Sequence, residues 1–418
     1  MSLVLLNAFF YITLLFFYWK KTKTIDCGFL LISVWAIVAV CGIFLYLDDA
    51  SMWHLTLQPF IYLFVTFVVY TRLYVLPHKG VKRTVEELAF QKNSALDVMC
   101  IAFIVCALFN ILNSDFSFSA VSVDEIERNA VDNYSDHVER MGEKGYTNFI
   151  ERITLNYCSW FKVAALIGMY NLLCQRRNGF AFLLGFCIFI PTFINSISNG
   201  TRGTLFTEII MFLSAYLLYK KYIPKETNKR LFLLAGILGL LSLLFVIAVT
   251  VSRFGDSTLG ASDSVLWYFG QSMLYFDNGL ADCVNGMLYG LRTFKTVLSF
   301  FGMGLPEGFS ADFFLGTNFG TNFTTFIGML ILDFGFIGTF IIGLIVPWLI
   351  NKLCSYKMSY TVASLYLYLF FLNRLILGVF SNGTGIDIQY IVALFFYFLF
   401  RILFDKKKRI AKPVELSA

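Results

Sequence analysis

Apolar residues in this chain run in blocks of about 20, separated by short polar stretches, which is the pattern of membrane-spanning helices and not of alternating strands. The blocks lie near 2–18, 28–47, 57–76, 95–112, 158–174, 179–196, 203–219, 231–251, 322–349, 359–378 and 387–404. They predict an all-α fold: a polytopic transmembrane helical bundle of about eleven spans, forming one integral membrane domain over 1–418. Two longer polar intervals interrupt the rhythm, at about 113–157 and 252–321.

Basic residues mark the alternate ends of these blocks. Of 33 Lys and Arg, about 23 fall in clusters: Lys20 to Lys23, Arg72 to Lys92, Arg176-Arg177, Lys220 to Arg230, Lys352 to Lys357, and Arg401 to Lys412. The positive-inside rule assigns those clusters to the cytoplasm. The N-terminus is then outside, the C-terminus cytoplasmic and the number of spans odd. The stretch after Met1 has no basic n-region and no A-x-A site, so the first span is expected to remain. The other ten basic residues must lie outside or within the membrane, where a cation is expensive and is a candidate for binding an anion.

Composition agrees with the pattern. The chain is 58% hydrophobic and only 14% charged, against about 25% charged for an ordinary soluble domain. The net charge of +6 reflects cytoplasmic anchors facing anionic lipid and implies no nucleic-acid partner. Of the nine cysteines, only Cys158 and Cys283 fall near the outer side, so no disulfide is required.

The interval 113–157 reads as an acidic outer loop whose middle, Ser122 to Arg140, reads as a capped helix, with a solvated spacer as the plain alternative. The interval 252–321 reads as a large outer loop with aromatic stretches at Val265–Phe269, Leu274–Phe276 and Met287–Tyr289. Gly, Asp and Asn interrupt it too often for another span, so one or two amphipathic helices on the bilayer surface are expected. Loops of this length without function are uncommon.

The motifs of soluble enzymes are missing: no Walker A loop, no G-x-S-x-G, no H-E-x-x-H and no C-x-x-C. With only His54, His78 and His137, a histidine metal site is not expected. The chemistry gathers instead on the outer side. Asn199-Gly200-Thr201-Arg202-Gly203-Thr204 opens the seventh span and sets Arg202 among small residues that let a ligand approach the backbone. Arg253 ends the eighth span, and Arg292 lies in the long loop; interfacial snorkelling is the plain alternative for both. Gly316 to Thr325, which includes Asn318 and Asn322, offers hydroxyl and amide groups to a sugar, or is simply a polar loop. Asp333 and Arg374 are charges inside apolar runs, and the plain alternative is that they pair with each other within the bundle.

In this order, Gly200-Thr201-Arg202-Gly203, Arg253-Phe254, a long outer loop, Asn322-Phe323-Thr324-Thr325-Phe326 and Asp333-Phe334-Gly335, the chain resembles the oligosaccharide repeat-unit polymerases, the Wzy-type O-antigen or capsule polymerases. The hydropathy profile shares the resemblance throughout, and its specific part spans about 200–340. The resemblance implies an inner-membrane glycosyltransferase with no metal and no cofactor. It would move a growing glycan from its undecaprenyl-diphosphate carrier onto a newly flipped repeat unit, with membrane lipid and a chain-length regulator as further partners. The long loop has no histidine, which argues against the related O-antigen ligases and leaves the base unassigned.

Physical chemistry points the same way. The leaving group would be a lipid diphosphate, whose growing charge arginine stabilises bidentately. The expected catalytic set is Arg202, Arg253 and Asp256, with Arg292, Asn318, Asn322 and Arg374 binding substrate and Asp333 structural. Asp256 leads the candidate bases because it follows Arg253 by three residues; Asp277, Asp282, Glu307 and Asp312 are the others. A lipid-linked oligosaccharide flippase would also use intramembrane cations. A scaffolding membrane protein would explain the spans but not the arginines.

Overall fold

The computed structural model describes residues 1–75, 93–113, 149–198, 203–254, 261–278, 289–291, 293–303, 325–354, 361–380 and 386–404. Among them every regular element is a helix. The helices are α1 (Ser2–Thr22), α2 (Cys27–Asp48), α3 (Leu57–Val75), α4 (Ser94–Leu112), α5 (Phe149–Cys174), α6 (Asn178–Ser198), α7 (Gly203–Tyr219), α8 (Lys225–Phe254), α9 (Ala261–Asn278), α10 (Lys295–Phe300), α11 (Phe326–Cys354), α12 (Val362–Leu377) and α13 (Ile386–Phe404). Each of the eleven expected blocks overlaps one of them. Seven described helices, α1, α2, α3, α4, α6, α8 and α11, are long and apolar enough to cross a membrane, and α7, α12 and most of α13 are shorter apolar helices.

Helix ends follow local chemistry. Asp26 caps α2 by accepting from the Phe29 amide, Asn93 caps α4 through Leu96, and Thr361 caps α12 through Ser364. Lys23, at positive φ, closes α1 with a bond to the Trp19 carbonyl. Two expected boundaries move. Helix α5 begins at Phe149, inside the stretch read as acidic loop, because Glu151 and Arg152 lower hydropathy without disfavouring a helix. For the same reason α8 starts at Lys225, ahead of its apolar block. The acidic helix expected over Ser122 to Arg140 lies outside the described residues.

Contacts between helix ends gather the basic clusters at one pole. There Arg177 pairs with Asp97 at 2.6 Å, Lys220 reaches the Ile25 carbonyl, Asn93 donates to the Phe404 carbonyl at 3.3 Å, and Tyr397 to the Leu353 carbonyl at 2.8 Å. The opposite pole is built from Trp53, Thr56, Ser196, Thr204, Phe206, Phe326 and Phe380 with their partners.

At the centre stands α12, buried along most of its length. The indole of Trp35 on α2 donates to the Leu375 carbonyl at 3.0 Å, and its ring meets Phe67 at a tilt and Phe326 edge-on. By contrast α8 exposes Phe232, Leu233, Ile237, Leu240 and Leu244, a surface suited to lipid tails.

Helix α9 departs from the expected surface-lying helix. It packs along α2, and a Cβ at Gly270 would sit only 2.8 Å from the Cys41 carbonyl, so glycine permits backbone contact between the two helices. Gln271, Ser272, Met273, Leu274 and Phe276 are buried there. Its Gly, Ser and Gln break the hydropathy of a span, yet small and polar residues are what close helix packing uses in a bundle.

Candidate functional site

Helix α11 is interrupted. Gly335 has φ 65° and ψ −178°, a backbone region open essentially to glycine, so the helix breaks one residue beyond Phe334. At this break a turn that includes Gly290 and Thr293 docks. Gly290 donates its amide to the Asp333 carbonyl at 3.1 Å, and the Asp333 carboxylate accepts the Thr293 amide at 2.6 Å and the Thr293 hydroxyl. Phe294 meets the ring of Phe334 edge-on at 6.2 Å. Asp333 is 1% exposed. A buried carboxylate in an apolar helix thus accepts two bonds from Thr293 of a neighbouring turn.

Arg374 lies near the end of α12, half-buried. Its guanidinium sits 5.3 Å from the Phe370 ring centroid, and the phenols of Tyr390 and Tyr366 lie within electrostatic reach. Among the described residues the ion pairs are Lys162–Glu208 and Arg177–Asp97, and neither involves Arg374. The pairing of Asp333 with Arg374, open in the sequence, is not formed. Asp333 is held by Thr293 and Arg374 lies among aromatic rings, because α11 breaks toward the turn that contains Thr293 while Arg374 faces α13.

A third polar cluster joins α5, α6 and α7. The Lys162 ammonium donates to Glu208 Oε2 and to Thr192 Oγ1, both at 2.9 Å, and Thr192 donates to the same carboxylate oxygen at 3.3 Å. Sequence reasoning did not single out Lys162 and Glu208. They stand 46 residues apart with no motif between them; the available signal was a lone acid in the apolar block of α7, the same kind that marked Asp333.

At the pole opposite the basic clusters, Asp277 closes α9 against the start of α3. Its carboxylate accepts the Thr56 amide at 3.0 Å and the Thr56 hydroxyl at 3.2 Å. Burial pushes its pKa up to about 6, with the Thr56 bonds opposing. Beside it Trp53 packs on Trp267 and Tyr275.

Of the other expected site residues, Arg202, Asp256, Arg292, Asn318 and Asn322 lie outside the described residues, as do Asp282, Glu307 and Asp312. Arg253 belongs to the last turn of α8, and its side chain lies outside the description. Cys158 is a free thiol that accepts from Asn110 at 3.7 Å; Cys283 is outside the described residues.

Comparison with models of protein families, with curated proteins and with solved structures finds no match for this chain.

Proposed function

We propose that this protein polymerises lipid-linked oligosaccharide repeat units, of an O-antigen or a capsule, at the periplasmic face of the bacterial inner membrane. About eleven helices span the bilayer, with the basic pole in the cytoplasm, the N-terminus outside and the 252–321 region on the periplasmic side. Glycosyl transfer breaks the bond between the growing chain and its undecaprenyl-diphosphate carrier. Arg202 and Arg253 hold the diphosphate as its charge grows, with Arg292 contributing; Asn318 and Asn322 hydrogen-bond sugar; and a carboxylate, first Asp256, takes the acceptor proton. A chain-length regulator is the expected protein partner.

The observation that carries this proposal is Arg374, a half-buried cation in an apolar bundle whose partners among the described residues are aromatic rings, not a carboxylate. A guanidinium stays charged at any relevant pH, so an anionic partner in its surroundings is the economical explanation of its placement. Asp333 remains structural here, fixing the turn that contains Thr293 against α11.

The interrupted α11 favours a second reading, because broken helices line substrate sites in transporters. A flippase for the same lipid-linked unit would use it. A deletion strain separates the two: loss of a polymerase leaves single repeat units on the finished surface lipid, whereas loss of a flippase leaves none outside.

A further inference from the structure

Glu208 is 2% exposed, and one of its carboxylate oxygens, Oε2, takes both donors of the cluster. The other, Oε1, is buried without a hydrogen-bond partner. Leaving such an acceptor unmet costs roughly 1–3 kcal/mol, and more for a charged group. Lys162 has three N–H donors, of which Thr192 and Glu208 take two, and its side chain is 25% exposed. The cluster therefore leaves one acceptor and one donor unused. Its charges cancel, so it does not select an anion; a hydroxyl group, which donates and accepts, is complementary to it. Toward the pole opposite the basic clusters, the α6–α7 seam continues with the Ser196–Thr204 hydroxyl pair at 2.7 Å, one turn from Thr192 and Glu208. The seam is polar along a path that otherwise crosses apolar helices.

We propose that Lys162, Thr192 and Glu208 form a membrane-embedded subsite for a sugar hydroxyl of the lipid-linked glycan, entered along the Ser196–Thr204 seam. The identity of the ligand rests on the polymerase proposal. Lys162 donates its remaining N–H to the hydroxyl oxygen, and the hydroxyl donates to Glu208 Oε1, so the buried carboxylate is satisfied only when the glycan is seated. The role is binding and positioning.

Two measurements test it. In the first, Lys162→Met and Glu208→Leu are combined, since exchanging a buried ion pair for apolar side chains of similar volume leaves a fold intact or steadier. The paired variant is expected to accumulate and melt like wild type while polymer yield from lipid-linked units falls at least tenfold. Full-length polymer at wild-type yield overturns the subsite and leaves the polymerase proposal standing, whereas a wild-type protein that makes no polymer defeats the polymerase proposal. In the second, the Thr192→Cys protein in vesicles is treated with a charged, membrane-impermeant thiosulfonate. Labelling that lipid-linked repeat units slow at least threefold supports the subsite, whether or not the paired variant accumulates. A thiol that stays unlabelled, or is labelled equally fast with the units present, overturns it.

Discussion

Replacing Asp333 should release the turn that contains Gly290 and Thr293 from the middle of α11. The wild-type carboxylate, 1% exposed, holds the Thr293 amide at 2.6 Å and the Thr293 hydroxyl as well. Hydrogen bonds to a charged group contribute about 1.5–3 kcal/mol each, so Asp333→Ala, which removes both, should weaken docking by about 3 kcal/mol or more. That corresponds to roughly a 10²-fold rise in the open population. Asp333→Asn keeps one acceptor oxygen and should raise it only about tenfold. The amide of Gly290 is the clean reporter, because its own acceptor is the Asp333 backbone carbonyl at 3.1 Å, which neither substitution removes. Hydrogen exchange followed by mass spectrometry on the protein in detergent should show Gly290 exchanging faster in the order Ala, Asn, wild type. If Gly290 exchange is unchanged in Asp333→Ala while only Thr293 accelerates, the carboxylate satisfies one neighbour and does not hold the turn.

Other expectations follow from the same structure. Gly335→Ala forces a side chain into a backbone region that costs about 1–3 kcal/mol, so membrane abundance should drop; normal abundance would mean that α11 tolerates a continuous helix. The pKa of Asp277 is raised from 3.8 to about 6, so the folded chain holds that proton more tightly than the unfolded one. Its contribution to stability is full below about pH 4 and is lost as pH rises through 6, and melting curves of Asp277→Asn should lack that loss. A wild-type melting temperature flat between pH 4 and 7 would remove the burial argument. Arg374→Lys keeps the charge but not the fork, so it should accumulate normally with clearly shorter polymer, and Arg374→Ala should be worse. Arg202→Ala and Arg253→Ala should each lose about 10²–10³ in rate at unchanged protein level; full-length polymer from both would make these arginines interfacial anchors only.

The helices were legible because an apolar run of about 20 residues can satisfy its backbone and bury its side chains together as a helix. Every apolar block became a helix, and errors came at polar ends such as Phe149–Asn156 and Lys225–Arg230, where helix and hydropathy part company. Helix α9 reads as surface-lying in the sequence because Gly270 and its neighbours look like loop residues until α2 is seen packed against them. Isolated charges in apolar runs flagged Asp333 and Arg374, but not their partners, since Thr293 and Phe370 bear no mark of contact in a linear chain. The Lys162–Glu208 pair shows the same limit: a bond between helices at unrelated positions has no spacing to read.

Purified protein in lipid vesicles, supplied with undecaprenyl-diphosphate-linked repeat units, tests the proposed chemistry most directly. A ladder of carrier-linked glycans lengthened by whole repeat units, weakened or abolished in Arg202→Ala, is the predicted result. Vesicles that move the unit across the bilayer without lengthening it, or leave it unchanged, would contradict polymerisation.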